Sequence, residues 1–95
     1  MRQIAITALL GLLVVAGCDA TTGRRAVVTG TTPDDLLKLR GGPGLEFNVL
    51  LGLPDGTKLI RRDCVTELGQ LWCRVSLVDA PGVTGYVSAD YLSAL

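Results

Sequence analysis

The residues equipped for chemistry in this 95-residue chain are Cys18, Cys64 and Cys73, the carboxylates Asp34, Asp35, Asp55, Asp63, Glu67, Asp79 and Asp90, the stretch Arg40-Gly41-Gly42-Pro43-Gly44, and the aromatics Phe47, Trp72, Tyr86 and Tyr91. Histidine is absent, so the usual general base and the commonest metal ligand are missing, and imidazole-based triads and zinc sites are excluded. Cys64 and Cys73 alone do not complete a four-ligand zinc site. They also lack the C-x-x-C spacing that lowers a thiol pKa. A structural disulfide between them is the expectation for a small exported domain. The carboxylates fall on turns and loop ends, where Asp caps backbone N–H groups, and none is paired inside an apolar motif that would raise a pKa for acid catalysis. The glycine-rich stretch lacks the GxxxxGK[ST] pattern, and no long helix follows it to hold a phosphate. It reads as a tight turn, with Arg40 braced against backbone carbonyls or a carboxylate. The chain is therefore expected to be no enzyme, with no catalytic residue, metal or cofactor.

Nine Lys+Arg balance nine Asp+Glu, and no basic run occurs, so the electrostatic footprint of a nucleic-acid binder is lacking. Apolar residues concentrate at the start: Ile4 to Ala16 is a nearly unbroken run of thirteen after Met1-Arg2-Gln3. A spanning helix needs about 20, whereas thirteen fits the apolar region of a secretory signal. The tetrad Val15-Ala16-Gly17-Cys18 then resembles the lipobox of bacterial lipoproteins. That resemblance implies removal of residues 1–17 as a signal peptide, lipidation of Cys18, export, and anchoring to a bacterial membrane with the domain on its periplasmic or outer side. Two or more acyl chains hold stably where one is marginal. Residues 18–24 have no apolar period and read as a flexible tether. At ~5–6 Å × √n, such a tether keeps the domain beyond it within roughly 15 Å of the lipid.

The elements that must position the remaining candidates are short. Turn signals at Gly30, Thr32-Pro33-Asp34, Gly41 to Gly44, Pro54-Asp55-Gly56, Leu68-Gly69-Gln70, Ala80-Pro81-Gly82 and Gly85 separate runs rich in Val, Leu and Ile, the pattern of a small all-β barrel or sandwich. The predicted strands are Ala26–Thr29, Leu36–Arg40, Phe47–Leu53, Lys58–Val65, Leu71–Val78 and Thr84–Val87. One helical turn, Ser88 to Tyr91, is expected to come next, with Ser88 as its cap. The 78 residues from Cys18 onward are near the size at which a single core yields only a few kcal/mol and a staple helps.

Leu37-Lys38-Leu39-Arg40-Gly41-Gly42-Pro43-Gly44, Val49-Leu50, Leu53-Pro54-Asp55-Gly56-Thr57, Trp72-Cys73-Arg74-Val75, Gly85-Tyr86-Val87-Ser88 and Tyr91-Leu92 together resemble the bacterial SH3-like (SH3b) domain over residues 25–95. Tyr86 stands where that family usually has Trp, and the Cys64 and Cys73 pair is an addition found in only some members. The resemblance implies a small SH3-like β-barrel of five to six short strands with a terminal 3-10 turn. It further implies a non-catalytic binding module for a peptide, peptidoglycan or an envelope protein, with Trp72, Tyr86 and Tyr91 as candidate ligand contacts. The alternative is a structural or regulatory envelope subunit that docks on a partner, by strand addition or through a flat face, without a small-ligand site. The set of stacked tyrosines that grips polyproline helices is not present.

A disulfide across the hairpin of the fourth and fifth strands sets facing pairs whose numbers sum to 137. Val65 then faces Trp72, Asp63 faces Arg74, Ile60 faces Leu77, and Arg62 falls opposite Val75 with its stem along apolar surface. Alternation along the fifth strand puts Cys73, Val75 and Leu77 inward and leaves Trp72, Arg74 and Ser76 on the other face.

Overall fold

The computed structural model describes residues 23–95. The segment read as a signal peptide, Cys18 and most of the expected tether lie outside the described residues. The protein is all-β there: β1 Arg24–Val28, β2 Leu37–Arg40, β3 Val49–Leu53, β4 Lys58–Glu67, β5 Gln70–Leu77, β6 Thr84–Ser88, a 3-10 turn Ala89–Tyr91, and β7 Leu92–Ala94. All seven strands form one antiparallel sheet in the order β3-β2-β6-β5-β4-β1-β7. The expected six strands are present with ends shifted by one or two residues, and β1 starts at Arg24, within the stretch read as tether. A seventh, β7, is added. Its three residues are too few for their alternation to mark a strand, and they pair with Ala26 to Val28 of β1, a contact set by the chain's return.

Six of the strands supply one core: Val28, Leu37, Leu39, Leu53, Leu59, Cys73, Val75 and Val87. In a flat sheet of this order β1 and β3 would stand about 24 Å apart, five strand spacings. Leu53 and Val28 belong to the same cluster, so the sheet is rolled around it. The seam between β1 and β4 continues past Lys58 into the β3–β4 turn, where Val28 N–H donates to Thr57 O at 3.0 Å and Gly56 N–H to Val28 O at 2.9 Å. Thr31 reinforces the seam by donating from Oγ1 and from its N–H to Asp55 Oδ1, at 2.7 and 2.8 Å. Close approach of β6 to β2 requires Gly85: a Cβ there would stand 2.7 Å from Arg40 O and 2.8 Å from Leu39 Cγ. Gly85→Ala is expected to destabilise by about 1–3 kcal/mol, as overpacking does, read as a lower urea midpoint.

The disulfide is present, with Cys64 directly opposite Cys73 and Cα atoms 4.0 Å apart. From there to the turn the pairing agrees with the predicted register: Val65 with Trp72, Thr66 with Leu71, Glu67 with Gln70. The turn itself is shorter than the expected Thr66-to-Gln70 loop. It consists of Leu68 and Gly69, both at positive φ, 51° and 80°, as a two-residue hairpin turn matching the strand twist demands.

On the other side of the disulfide the register changes. Arg61 faces Val75, Ile60 faces Ser76 and Leu59 faces Leu77, so the predicted pairs Ile60 with Leu77 and Arg62 with Val75 are corrected by one residue. Between Arg61 and Cys64, β4 has two residues where β5 has only Arg74, which is a β-bulge. A one-residue slip exchanges the faces of everything beyond it. Without the bulge Arg62, Ile60 and Lys58 would share the inward face with Cys64. With it, Leu59 enters the core fully buried, and Lys58 and Arg62 leave it. The predicted contact of Arg74 with Asp63 survives as an ion pair at 2.6 and 2.9 Å.

Two of these contacts set a pH dependence. The bonds from Thr31, side chain first, hold the Asp55 carboxyl below the usual range, and the Arg74 guanidinium does the same for Asp63. A carboxyl whose folded pKa is depressed binds fewer protons folded than unfolded, so its stabilisation is present above the ordinary value of about 3.9. It is lost as pH falls through the lowered one. The melting temperature should therefore drop below about pH 4, the ordinary carboxylate range. The drop should be shallower in an Asp55→Asn/Asp63→Asn variant.

Candidate functional site

The outer face of β5 carries the candidate ligand residues. Trp72 pairs with Ser88 of β6 on one side and Val65 of β4 on the other, and by alternation it points away from the core cluster. It is nevertheless only 5% exposed, against the expectation of an open surface residue. The cause is the cover above it: the β2–β3 loop comes down from one side and the 3-10 turn from the other. Ser76 is buried too, beneath Arg62, whose Nε donates to its hydroxyl at 3.4 Å. Cys73 and Val75 are inward and fully buried as expected, and Leu77 is half-buried.

Each covering element has a local cause. Arg40 is braced on carbonyls rather than on a carboxylate, donating from Nη1 to Leu45 O at 3.2 Å and Phe47 O at 3.1 Å. That brace folds residues 41–48 back over β2. The Phe47 ring lies against Gly42, where any Cβ would meet it at 2.5 Å. The 3-10 turn is capped as predicted, with Ser88 Oγ accepting from Asp90 N–H at 3.3 Å. The same hydroxyl bonds Gln70 Nε2 at 2.9 Å, which ties the turn to the start of β5.

Two adjoining hollows result, sharing Leu45, Trp72, Ser88 and Tyr91 as a common wall. The larger, about 410 Å³, runs between the Pro43–Glu46 loop and the β4–β5 turn. Its apolar lining is Pro43, Leu45, Leu68, Trp72 and Tyr91, and its charged lining is Glu46, Glu67 and Asp90, with no Lys or Arg. The smaller, about 130 Å³, continues over β2 past Leu36, Lys38 and Arg40. The structure thus brings Trp72 and Tyr91 together. It does not bring Tyr86, which pairs with Arg74 and Arg40 and lines neither hollow.

Sequence reasoning missed Leu45 and Leu68. Leu45 is 75% exposed and Leu68 fully so, and both stand at the mouth of the groove. Leu68 holds a left-handed backbone, φ 51°, that a branched residue adopts at a cost of roughly 1–2 kcal/mol. An exposed apolar side chain kept in a strained turn is the signal, and it is invisible until the turn is known to have two residues. Among the described residues no group of three or more His, Cys, Asp or Glu is placed to hold a metal ion. None of the described helices is long and apolar enough to cross a membrane. In comparisons with protein-family models, curated proteins and solved structures, nothing matches the chain.

Proposed function

We propose that the domain is a non-catalytic binding module of a lipid-anchored envelope protein, built on an SH3b-like barrel, and that the groove over Trp72 is where it binds. The observation carrying this reading is the composition of that groove: an apolar floor of Trp72, Tyr91, Leu45 and Leu68 beside the carboxylates Glu46, Glu67 and Asp90. Concave apolar surface with a few polar groups at its edge is what binding sites share. The sign of the rim selects a ligand segment with a positive charge. An extended peptide bearing a free amine or a Lys side chain meets both demands, whether it belongs to peptidoglycan or to an envelope protein. Tyr91, Leu45 and Leu68 would contact the ligand's apolar part over the floor that Trp72 supports. Tyr86, placed elsewhere, has no contact to offer in this groove.

The alternative is docking by strand addition. β3 is an edge of the sheet, and its Val49, Leu50 and Leu51 are all exposed, so it offers both unpaired backbone groups and apolar side chains.

The test uses residues that bind without holding the fold. Leu68→Asn relieves the left-handed leucine and should raise stability by about 1 kcal/mol. Leu45→Ser should leave it nearly unchanged, because the side chain is exposed. Both should weaken retention on purified sacculi or on immobilised envelope protein by about tenfold, the effect of losing one well-packed apolar contact of 1–2 kcal/mol. Unchanged retention in both, with loss on a Leu50→Lys change in β3, would transfer the function to the edge strand.

A further inference from the structure

Nine Lys and Arg occur in the chain, and eight of them come after the apolar N-terminal run. Three of the eight are held by a carboxylate or brace a loop inside the domain. Lys38 pairs with Asp35 at 2.9 Å, Arg74 pairs with Asp63, and Arg40 braces the β2–β3 loop. The other five, Arg24, Arg25, Lys58, Arg61 and Arg62, all lie on the adjacent strands β1 and β4. Among the described residues none of these five has a carboxylate partner within salt-bridge distance.

Their arrangement opposes stability. Arg24 stands directly opposite Arg61, and like charges so placed destabilise a sheet. Arg24, Arg25 and Arg61 also line one shallow hollow of about 90 Å³ with Leu92, Ser93 and Ala94. The bulge in β4 turns Lys58 and Arg62 outward at the same corner, and Arg25 is exposed beside them. A concentration of cations without carboxylate partners among the described residues is matched by a partner that supplies negative charge over an area.

We propose that this β1–β4 corner is the surface with which the domain rests on anionic lipid headgroups, an inference that relies on the lipid-anchor reading of Cys18. Position selects the partner. The corner begins at Arg24, only six residues after Cys18, so the tether ends at the cations themselves and cannot carry them more than roughly 15–20 Å from the bilayer. The tether therefore lets the corner come within a Debye length of the leaflet, about 8–10 Å at 0.1–0.15 M salt, where an anionic surface attracts each cation that reaches it. The contact also orients the domain. Along β4 the cations end at Arg62 and the groove residue Glu67 stands five residues further, about 16 Å at the rise of a strand. Cations down places the acidic groove toward the aqueous side, where its ligand arrives.

The full chain is reconstituted into vesicles of neutral phosphatidylcholine, or of phosphatidylcholine mixed with anionic phosphatidylglycerol, each with a trace of dansyl-labelled lipid. Trp72 is the sole tryptophan and serves as the energy donor. At low salt the transfer efficiency should differ between the two vesicles, and it should converge on the neutral value when salt rises from about 0.05 to 0.5 M. An Arg25→Gln/Arg61→Gln/Arg62→Gln variant should behave on anionic vesicles as the parent does on neutral ones, the ratio of docked to undocked domain falling about fivefold per cation. Lys38→Gln should keep the parent's response. The salt titration of the parent chain tests the proposal even if the triple variant fails to fold. Equal transfer on both vesicles at low salt, with the chain retained on both, overturns the docking surface and leaves the anchor standing. A chain that washes off neutral vesicles overturns both. Release by inorganic phosphate at an ionic strength where chloride does not release it overturns the membrane contact in favour of a small-anion site.

Discussion

Reducing the Cys64–Cys73 bond lowers the melting temperature of the domain by about 10–20 °C. The bond closes a short loop, with a sequence separation of 9, and in the chain-entropy account this removes ~2.5–3 kcal/mol worth of freedom from the unfolded chain. Native stability for a domain of this size is only about 4–11 kcal/mol, at 0.05–0.15 kcal/mol per residue. The loss is therefore a large fraction of the total. The geometry adds a second reason for a large effect. Cys73 is fully buried in the core cluster and Cys64 packs against it, so the bond ties the bulged strand β4 to the centre of the sheet next to the irregularity. A calorimetric scan with and without reductant, repeated on a Cys64→Ser/Cys73→Ser variant, checks it. The variant should melt near the reduced parent and show no response to reductant. Superimposable scans of the parent in both conditions would show that the staple contributes nothing.

Trp72→Ala is expected to cost about 3–5 kcal/mol, the range for truncating a buried large aromatic. The domain would be left near the threshold of unfolding at ambient temperature. Trp72 is covered by the Leu45 loop and by Tyr91 of the 3-10 turn, so truncation empties the floor beneath both and frees the two elements that form the groove. Strand alternation placed Trp72 on the outer face as a candidate ligand contact; its burial there makes it a support of the fold as well, because the groove is built on it. Tyr86→Ala, at a half-buried position away from the hollows, should be much milder. Urea denaturation gives the comparison, with a large drop in midpoint at constant slope for Trp72→Ala marking lost stability without a change of unfolded state. A Trp72→Phe variant retains most of the apolar volume and permits a binding measurement on folded protein. A midpoint for Trp72→Ala within experimental scatter of the parent would mean that the cover over Trp72 does not persist in solution.

The all-β class, six of the seven strands, the Ser88 cap and the hairpin pairing from Cys64–Cys73 to the turn were legible in the residues. Each depends on interactions within a few positions: turn chemistry at Gly, Pro and Asp, period-two alternation between turns, and a disulfide that ties facing residues of a single hairpin. The bulge at Arg62 and Asp63 was written there only as a contradiction, Arg62 falling on an inward position. The choice between burying an arginine stem and inserting one residue is made by the free energy of the whole core, through Leu59. Tertiary structure alone decided that Trp72 is covered, that Tyr91 joins it while Tyr86 does not, and that β7 exists. The same holds for the basic corner. Arg24 and Arg25 are separated from Lys58, Arg61 and Arg62 by more than thirty residues, and a chain with no basic run and no net charge carries five cations on two adjacent strands because antiparallel pairing of β1 with β4 is non-local. Composition averages over such pairings; only a folded sheet places the charges side by side.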